Sequence, residues 1–500
     1  VDYTYQIDNF NYSSSNNSVY GMNWSGTTPG YIVQPTTTNV YAQNIKMNRW
    51  TVNAYANYAR TWNDVHNLNV MAGINGENYT SDMFSAKRTQ LYDESYPELA
   101  LAYGDMAKAT IASSAGDRAS AGYFGRINYD YKGIYLLELN GRYDGSSRFP
   151  TGSKWAFFPS GSLGYRFTEE PYWKDLHKYV SNGKIRASYG EIGNEAVGDN
   201  MFLSTISPYA QTSLTWLDGK ASRMNQFGLP SWVASTLTWE RIKTTDIGID
   251  LSFLNDELTL SADVYQRTNN DMLAPGNALP TAIGASAPYI NAGKLRTRGW
   301  EMSLAWHKQF TNELGLYANF NIGDSKSKVT QWNNTSRLIG HTEDRSYAYE
   351  GETWGDIKFK DLDGSGVIDG GKGTAEDHGD LKVIGNTLPR YEYSFRVGGA
   401  YKGFDLDLFF QGVGKRDMWT ISSFVFPEMR DADVAIYANQ TKYNVYDPAN
   451  GNVNISESND FPVLYSGNET AGNVPALAAY GGSHNYYPQS KYLVNMAYLR

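Results

Sequence analysis

The sequence predicts an all-β fold and, within that class, a transmembrane antiparallel up-and-down β-barrel. Three observations predict it. Apolar and polar residues alternate with period two along one segment after another. Tight turns and long links alternate between those segments. The apolar faces carry tyrosine or tryptophan at their ends with aliphatic residues between, while the opposite faces carry arginine, asparagine and carboxylates.

Composition agrees. The 500 residues include 39 Tyr, 13 Trp and 48 Gly, and only 19% are charged. Aromatic-rich, glycine-rich chains of this kind suit barrels and propellers. The absence of Cys excludes a disulfide-stapled scaffold and a thiolate metal site. A net charge of −9, with no basic patch laced with aromatics, gives no reason to expect nucleic acid as a partner. No stretch of about 18 uncharged apolar residues exists, so no transmembrane helix is expected. A barrel needs none, because its strands cross with roughly ten alternating residues each. The chain starts Val1-Asp2-Tyr3, without an initiator methionine or signal peptide, and stops at Tyr498-Leu499-Arg500 inside a strand pattern. It reads as a fragment: a single barrel domain over residues 1–500.

The elements follow in order. Residues 1–39 read as the end of one strand followed by an exposed loop. Two strands then meet at a turn near Asn63-Asp64, the second placing Leu68, Val70, Ala72 and Ile74 on one face. Residues 80–118 read as a connection of partly helical character. In the next hairpin Tyr123, Ile127, Tyr129 and Tyr131 oppose Phe124, Arg126, Asn128 and Asp130. Lys132-Gly133 makes the turn, and Tyr135, Leu137, Leu139 and Tyr143 alternate with Glu138, Asn140, Arg142 and Asp144. Tyrosines at both ends of an aliphatic row are the girdle expected at two membrane interfaces. Later strands repeat the design, including Ile247, Ile249, Leu251 and Phe253, and Phe404, Leu406, Leu408 and Phe410. About fourteen strands are expected. Tyr129, Leu137, Leu251 and Leu406 are expected to face lipid, and Arg126, Asn140, Asp250 and Asp407 the lumen.

The connections carry independent information. Tight turns fall at 132–133, 255–257, 308–313 and 402–403; between them lie long links at 145–154, 190–243, 268–297, 323–389 and 413–490. An up-and-down barrel has short turns on one side and long loops on the other. A propeller would instead show a fixed period of about 40–50 residues. Arg126, Arg142, Arg166, Arg186 and Arg396 on the polar faces fit a wet or plugged lumen and suit a dry sandwich core poorly.

Two sets of residues are candidates for binding. Asp361, Asp363, Ser365, Gly366, Val367 and Asp369 match the first nine positions of an EF-hand-like loop. Carboxylates at positions 1, 3 and 9, a hydroxyl at 5 and the carbonyl at 7 can converge because glycine at 6 permits the sharp turn. One Ca2+ or Mg2+ is the expected ion. Position 12, where a bidentate Glu belongs, is Lys372, so Glu376 or Asp377 would have to substitute. The alternative is an Asp/Gly turn cluster. Trp216, Trp232 and Trp239 in the long link could stack on sugar rings, or simply pack that link. The six His are scattered, and no H-E-x-x-H, G-x-S-x-G or phosphate loop occurs, so no catalytic site is expected.

Several runs resemble a known family. They are S-Y-G-E-I-G-N-E at 188–195, W-E-R-I-K-T-T-D-I-G-I-D at 239–250, D-V-Y-Q-R-T-N-N-D-M-L at 263–273 and N-A-G-K-L-R-T-R-G-W-E at 291–301. The most specific is W-G-D-I-K-F-K-D-L-D-G-S-G-V-I-D from Trp354, with P-R-Y-E-Y and Y-K-G-F-D-L-D-L-F-F-Q-G after it. From about Trp62 onward the chain resembles the barrel of SusC/RagA-type TonB-dependent outer-membrane receptors. That resemblance implies a 22-stranded barrel in the outer membrane of a Gram-negative bacterium, with a plug, TonB box and final strands outside this chain. It implies TonB and a SusD-like surface lipoprotein as partners, in a dimer of receptor–lipoprotein pairs, and oligosaccharides or peptides as cargo. A passive porin-like or autotransporter barrel, and a secreted glycan-binding or hydrolytic β-protein, remain the alternatives.

Overall fold

The computed structural model describes residues 1–17, 19–25, 28–34, 37–206, 227–276, 279–283, 287–331, 353–356, 381–385, 387–419, 463–464, 476–477 and 493–500. Its body is one 14-stranded antiparallel sheet in which spatial order equals chain order. The strands are β1 (Asp2–Asn16), β2 (Asn39–Trp62), β3 (His66–Thr89), β4 (Thr110–Tyr131), β5 (Tyr135–Ser146), β6 (Trp155–Tyr165) and β7 (Val180–Asn194). They continue with β8 (Glu240–Phe253), β9 (Leu258–Pro275), β10 (Tyr289–Thr311), β11 (Leu314–Gln331), β12 (Arg390–Tyr401), β13 (Phe404–Lys415) and β14 (Tyr498–Leu499). The sheet is open: β1 and β14 are its two edges and do not pair with each other, and the fourteen strands agree with the expected fragment of a larger barrel.

The turns form where the residues permit them. Lys132 and Gly133, at φ +55° and +64°, and Lys402 and Gly403, at +48° and +85°, are left-handed, which matches the twist of hairpin strands. Asn63 and Asp64 do the same at +52° and +53°. Three expectations need correction. About half of the region 80–118 is strand: β3 runs to Thr89 and β4 starts at Thr110, which leaves a connection over 90–109 with 3-10 turns at Leu99–Leu101 and Met106–Lys108. Period-two polar runs satisfy a strand that stands clear of lipid as well as one within it. At 24 residues each, β2 and β3 far exceed the roughly ten residues a membrane crossing needs. Likewise 268–297 is mainly the continuation of β9 and β10. The alternation of short and long links is also less strict than the turn signals implied. Residues 166–179, at the short-turn end, outlast the 147–154 link at the other.

The register separates the two faces. Leu68, Tyr129, Leu137, Leu163, Ala187, Ile247, Val264 and Trp300 are successive partners from β3 to β10. Leu251, Leu260, Leu304, Phe320, Phe395 and Phe410 continue the band from β8 to β13, with the last two rings stacked at 4.6 Å. On the opposite face Asn128, Glu138, Ser162, Ser188, Asp246 and Tyr265 form an unbroken polar row. The apolar row begins beside a turn in β3 and ends far up β10, where its next partner is Asp324. That stagger is the shear of tilted strands.

Aromatic rings bound the apolar band. Near the short turns Trp62, His66, Tyr131, Tyr135 and Tyr165 form a ladder with centroid spacings of 5.5, 5.0, 6.4 and 5.2 Å. Toward the long links Trp155 stacks on Tyr143 at 5.1 Å and Tyr123 at 6.0 Å. Tyr135 to Tyr143 at about 3.3 Å per residue is ~26 Å along the strand. A tilt of about 40° reduces this to ~20 Å, close to the roughly 25 Å apolar band of outer-membrane barrels. Beyond Tyr189 the same face turns ionic, with Glu191 3.0 Å from Lys243 and 3.2 Å from Arg241.

Leu137→Arg in the full-length protein is expected to cost about 2–4 kcal/mol in denaturant unfolding from lipid vesicles. Ser162→Arg, on the partner strand but the opposite face, is expected to stay near zero. Equal costs would show that the two faces do not meet different solvents.

Candidate functional site: the polar face and its rim

The polar face is built from charges that the register brings opposite one another. Arg186 of β7 is the centre. Its Nε donates to Asp250 Oδ2 at 3.1 Å and its Nη2 to Asp263 Oδ2 at 2.7 Å, while Nη1 lies 3.7 Å from Asp246. The Ser261 hydroxyl donates to Asp250 at 2.7 Å, and Lys184 pairs with Asp250 in register. Two cations therefore face three carboxylates. Arg186 is aligned with Gly248, and Gly248 with Asp263. A Cβ at Gly248 would stand 2.3 Å from Asp263 Oδ1 and 2.7 Å from Arg186 Cζ. Glycine on the intervening strand lets the guanidinium reach two strands away. Gly122 serves Asn75, Asp144 and Arg142 in the same way, with a Cβ 2.2 Å from Asp144 Oδ1 and 2.5 Å from Asn75 Oδ1.

Smaller pairs fill the remainder. Arg126 donates to Asn140 at 2.8 Å, and Asn140 to Glu138 at 2.8 Å. Arg396 forms an ion pair with Asp407. Between β9 and β13 this face lines a cavity of about 620 Å3, with Asp263, Tyr265, Glu301, Asn321, Glu392 and Gln411 among its walls. Paired charges, amides and hydroxyls can exchange hydrogen bonds with a hydrophilic solute without presenting one dominant sign. Among the described residues no group of three or more His, Cys, Asp or Glu is placed to hold a metal.

The rim lies at the long-link end. There Phe149, Ala156, Phe158, Val197, Leu237 and Trp239 form a buried cluster. Trp239 packs on Phe149 at 4.8 Å and edge-on to Phe158 at 5.5 Å, and its indole N–H donates to the Lys154 carbonyl at 3.1 Å. Arg148 ties the link down, donating to Asp199 at 2.7 Å and to the Glu195 carbonyl at 2.8 Å. Above the cluster is a cavity of about 660 Å3, lined by Met201, Leu229, Trp232 and Tyr289 among others. Nearby on the polar face Tyr79 lies between two guanidinium groups, Arg118 at 3.9 Å and Arg49 at 5.6 Å from its centroid.

The three tryptophans singled out from sequence divide. Trp239 is 5% exposed with its N–H satisfied, so it is a packing residue and has no free face for a ligand. Trp232 is 52% exposed on a cavity wall. Trp216 lies outside the described residues, as do Asp361, Asp363, Ser365, Val367 and Asp369. The convergence of Arg186 with Asp246, Asp250 and Asp263 was not visible in sequence. Each residue was assigned to its polar face, but their meeting depends on strand register. The only signal was a glycine interrupting the polar face of β8.

Trp239→Ala is expected to cost about 3–5 kcal/mol, the range for a buried large aromatic. Trp232→Ala is expected to leave the thermal transition in place. A matching loss at Trp232 would move that residue from the cavity wall into the core.

Comparison with known proteins follows from this geometry. The family model described as "TonB dependent receptor-like, beta-barrel" matches residues 1–456. The chain is 28% identical over 411 residues to TonB-dependent receptor P3 of Formosa agariphila, covering 75% of this chain and 38% of that protein. It is 30% identical over 280 residues to TonB-dependent receptor SusC of Bacteroides thetaiotaomicron, covering 50% of this chain and 27% of that one. The chain thus spans well under half the length of these relatives. In fold it matches the structure titled "Structure of the RagAB peptide transporter", with a TM-score of 0.74 and 17% identity over all of this chain and 52% of that one. The two-faced sheet, the girdles and a family match over nine-tenths of the sequence agree: this chain belongs to the β-barrel family of TonB-dependent receptors.

Proposed function

We propose that the chain is the barrel portion of an active outer-membrane importer of oligosaccharides or peptides. It performs no chemistry on its cargo. The observation that carries this reading is the in-register sheet with an apolar, girdled face on one side and a charge-paired polar face on the other. Such a sheet supplies a wall between lipid and a wet passage. Similarity to proteins named as TonB-dependent receptors supports energy-coupled opening through TonB rather than passive leakage. A SusD-like lipoprotein is the proposed partner at the long-link rim, in a dimer of receptor–lipoprotein pairs. Trp232 is the proposed ligand contact at the rim, a reading supported by its position on the wall of a cavity of about 660 Å3.

Deleting the full-length gene is expected to abolish growth on one oligosaccharide or peptide source while growth on its monomers continues. Pull-downs from outer membranes are expected to recover a lipoprotein. Growth on every polymeric nutrient, with no lipoprotein recovered, would favour a passive barrel.

The reading also includes one calcium ion at Asp361, Asp363, Ser365, Asp369 and the Val367 carbonyl, with Ca–O distances of about 2.3–2.6 Å. Calorimetric titration of the full-length protein is expected to show one Ca2+ site that Asp363→Asn abolishes. An unchanged isotherm would leave an Asp/Gly turn.

A further inference from the structure

The link between β6 and β7, residues 166–179, is longer than any hairpin at the short-turn end needs, and its contacts fix which side of the sheet it occupies. The Phe167 ring lies over Gly183, where an added Cβ would come within 2.3 Å of it. Gly183 is the register partner of Leu251, in the apolar band. Thr168 is fully buried, its hydroxyl accepting from the Gly183 N–H at 2.9 Å. Trp173 packs edge-on to Phe167 at 4.8 Å and donates its indole N–H to the Val180 carbonyl at 3.3 Å. The Tyr172 hydroxyl is 2.7 Å from that of Tyr165, and the Tyr135 hydroxyl donates to Glu170 at 2.5 Å. Tyr135 and Tyr165 are rungs of the lower aromatic ladder. The link therefore wraps around the short-turn edge, with Phe167 and Thr168 packed over Gly183 on the apolar face.

The link exposes three large side chains with apolar bodies, set among charged ones. Tyr172 is 63% exposed, Leu176 42% and Tyr179 62%, on the 3-10 helix Pro171–Leu176 and the turn that follows it. Lys174 and Lys178 are exposed between them, the Lys178 ammonium 4.8 Å from the Tyr179 ring. Tyrosines with lysines beside a girdle are the composition of a membrane interface, where rings sit at headgroup level and lysines reach toward water. The charges nearly cancel. Glu169 pairs with Arg166 at 2.7 Å, Glu170 accepts from Tyr135, and Asp175 offsets one of the two lysines. Apolar insertion, not attraction to lipid charge, carries the contact.

We propose that residues 170–179 are an interfacial anchor, with Tyr172, Leu176 and Tyr179 inserted among the phospholipid headgroups at the short-turn face of the barrel. The anchor continues the apolar band sideways and fixes the depth at which the lower girdle rides. It rests on the outer-membrane placement proposed above. The test uses the full-length protein, freed of any other cysteine, in phosphatidylethanolamine–phosphatidylglycerol vesicles. A nitroxide is attached to Leu176→Cys or Tyr179→Cys, with Leu137→Cys as the mid-band reference. Both positions are exposed, so neither change threatens folding. The expected result is that dissolved oxygen relaxes the labels at 176 and 179 several-fold more than a water-soluble nickel chelate does, unchanged by added salt. A lipid signature at 137 with an aqueous one at 176 and 179 would overturn the anchor and leave the membrane reading standing. An aqueous signature at all three would overturn the membrane reading and the anchor with it.

Discussion

Antiparallel backbone pairing is the constraint on which everything else here depends. Inside a bilayer no water is available to an unpaired N–H or C=O, so each strand must satisfy its backbone through its neighbours. Pairing fixes register, and register fixes faces, because side chains alternate with period two. A slip of β8 by one residue against β7 would move Asp246 and Asp250 into the apolar band and Ile247 and Leu251 into the polar one, away from Arg186. The faces are therefore consequences of the ladder, and the ladder is held in place by the cost of exchanging them.

The polar face shows how that constraint is used. Charges sit across from charges of opposite sign, as Lys184 does from Asp250, or two strands away with a glycine between, as Arg186 and Asp263 do across Gly248. The intervening glycine removes the side chain that would separate Arg186 from Asp263. Strand glycines ordinarily weaken a sheet; here Gly248 admits an ion pair, and Gly122 a hydrogen bond from Arg142 to Asn75, between strands that are not neighbours. The result is a hydrophilic wall whose charges are largely answered from within.

The sheet and its rim follow different rules. Across the band the strands are held by pairing, and few of the described residues there are buried in protein. At the long-link end the chain builds a core of its own with Phe149, Phe158 and Trp239. That cluster clamps the start of the 195–239 link to the strand tops, where Arg148 and Asp199 add an ion pair.

The sequence by itself determined the fold class, the alternation of faces, the turns at Lys132-Gly133 and Lys402-Gly403, and the girdles. All of these depend on local properties: side-chain period, residues that accept positive φ, and aromatic placement within one strand. It did not determine where strands end outside the membrane, because a polar period-two run reads alike as loop or as standing strand; β3 and β4 were underestimated for that reason. Nor did it separate Trp239 from Trp232, since both lie in one aromatic-rich link and differ only in what packs against them. The tertiary structure decided those points, together with the meeting of Arg186 with three aspartates and the folding of residues 166–179 onto the apolar face. Each brings together residues from different strands or links, and only the pairing of strands sets which of them are neighbours.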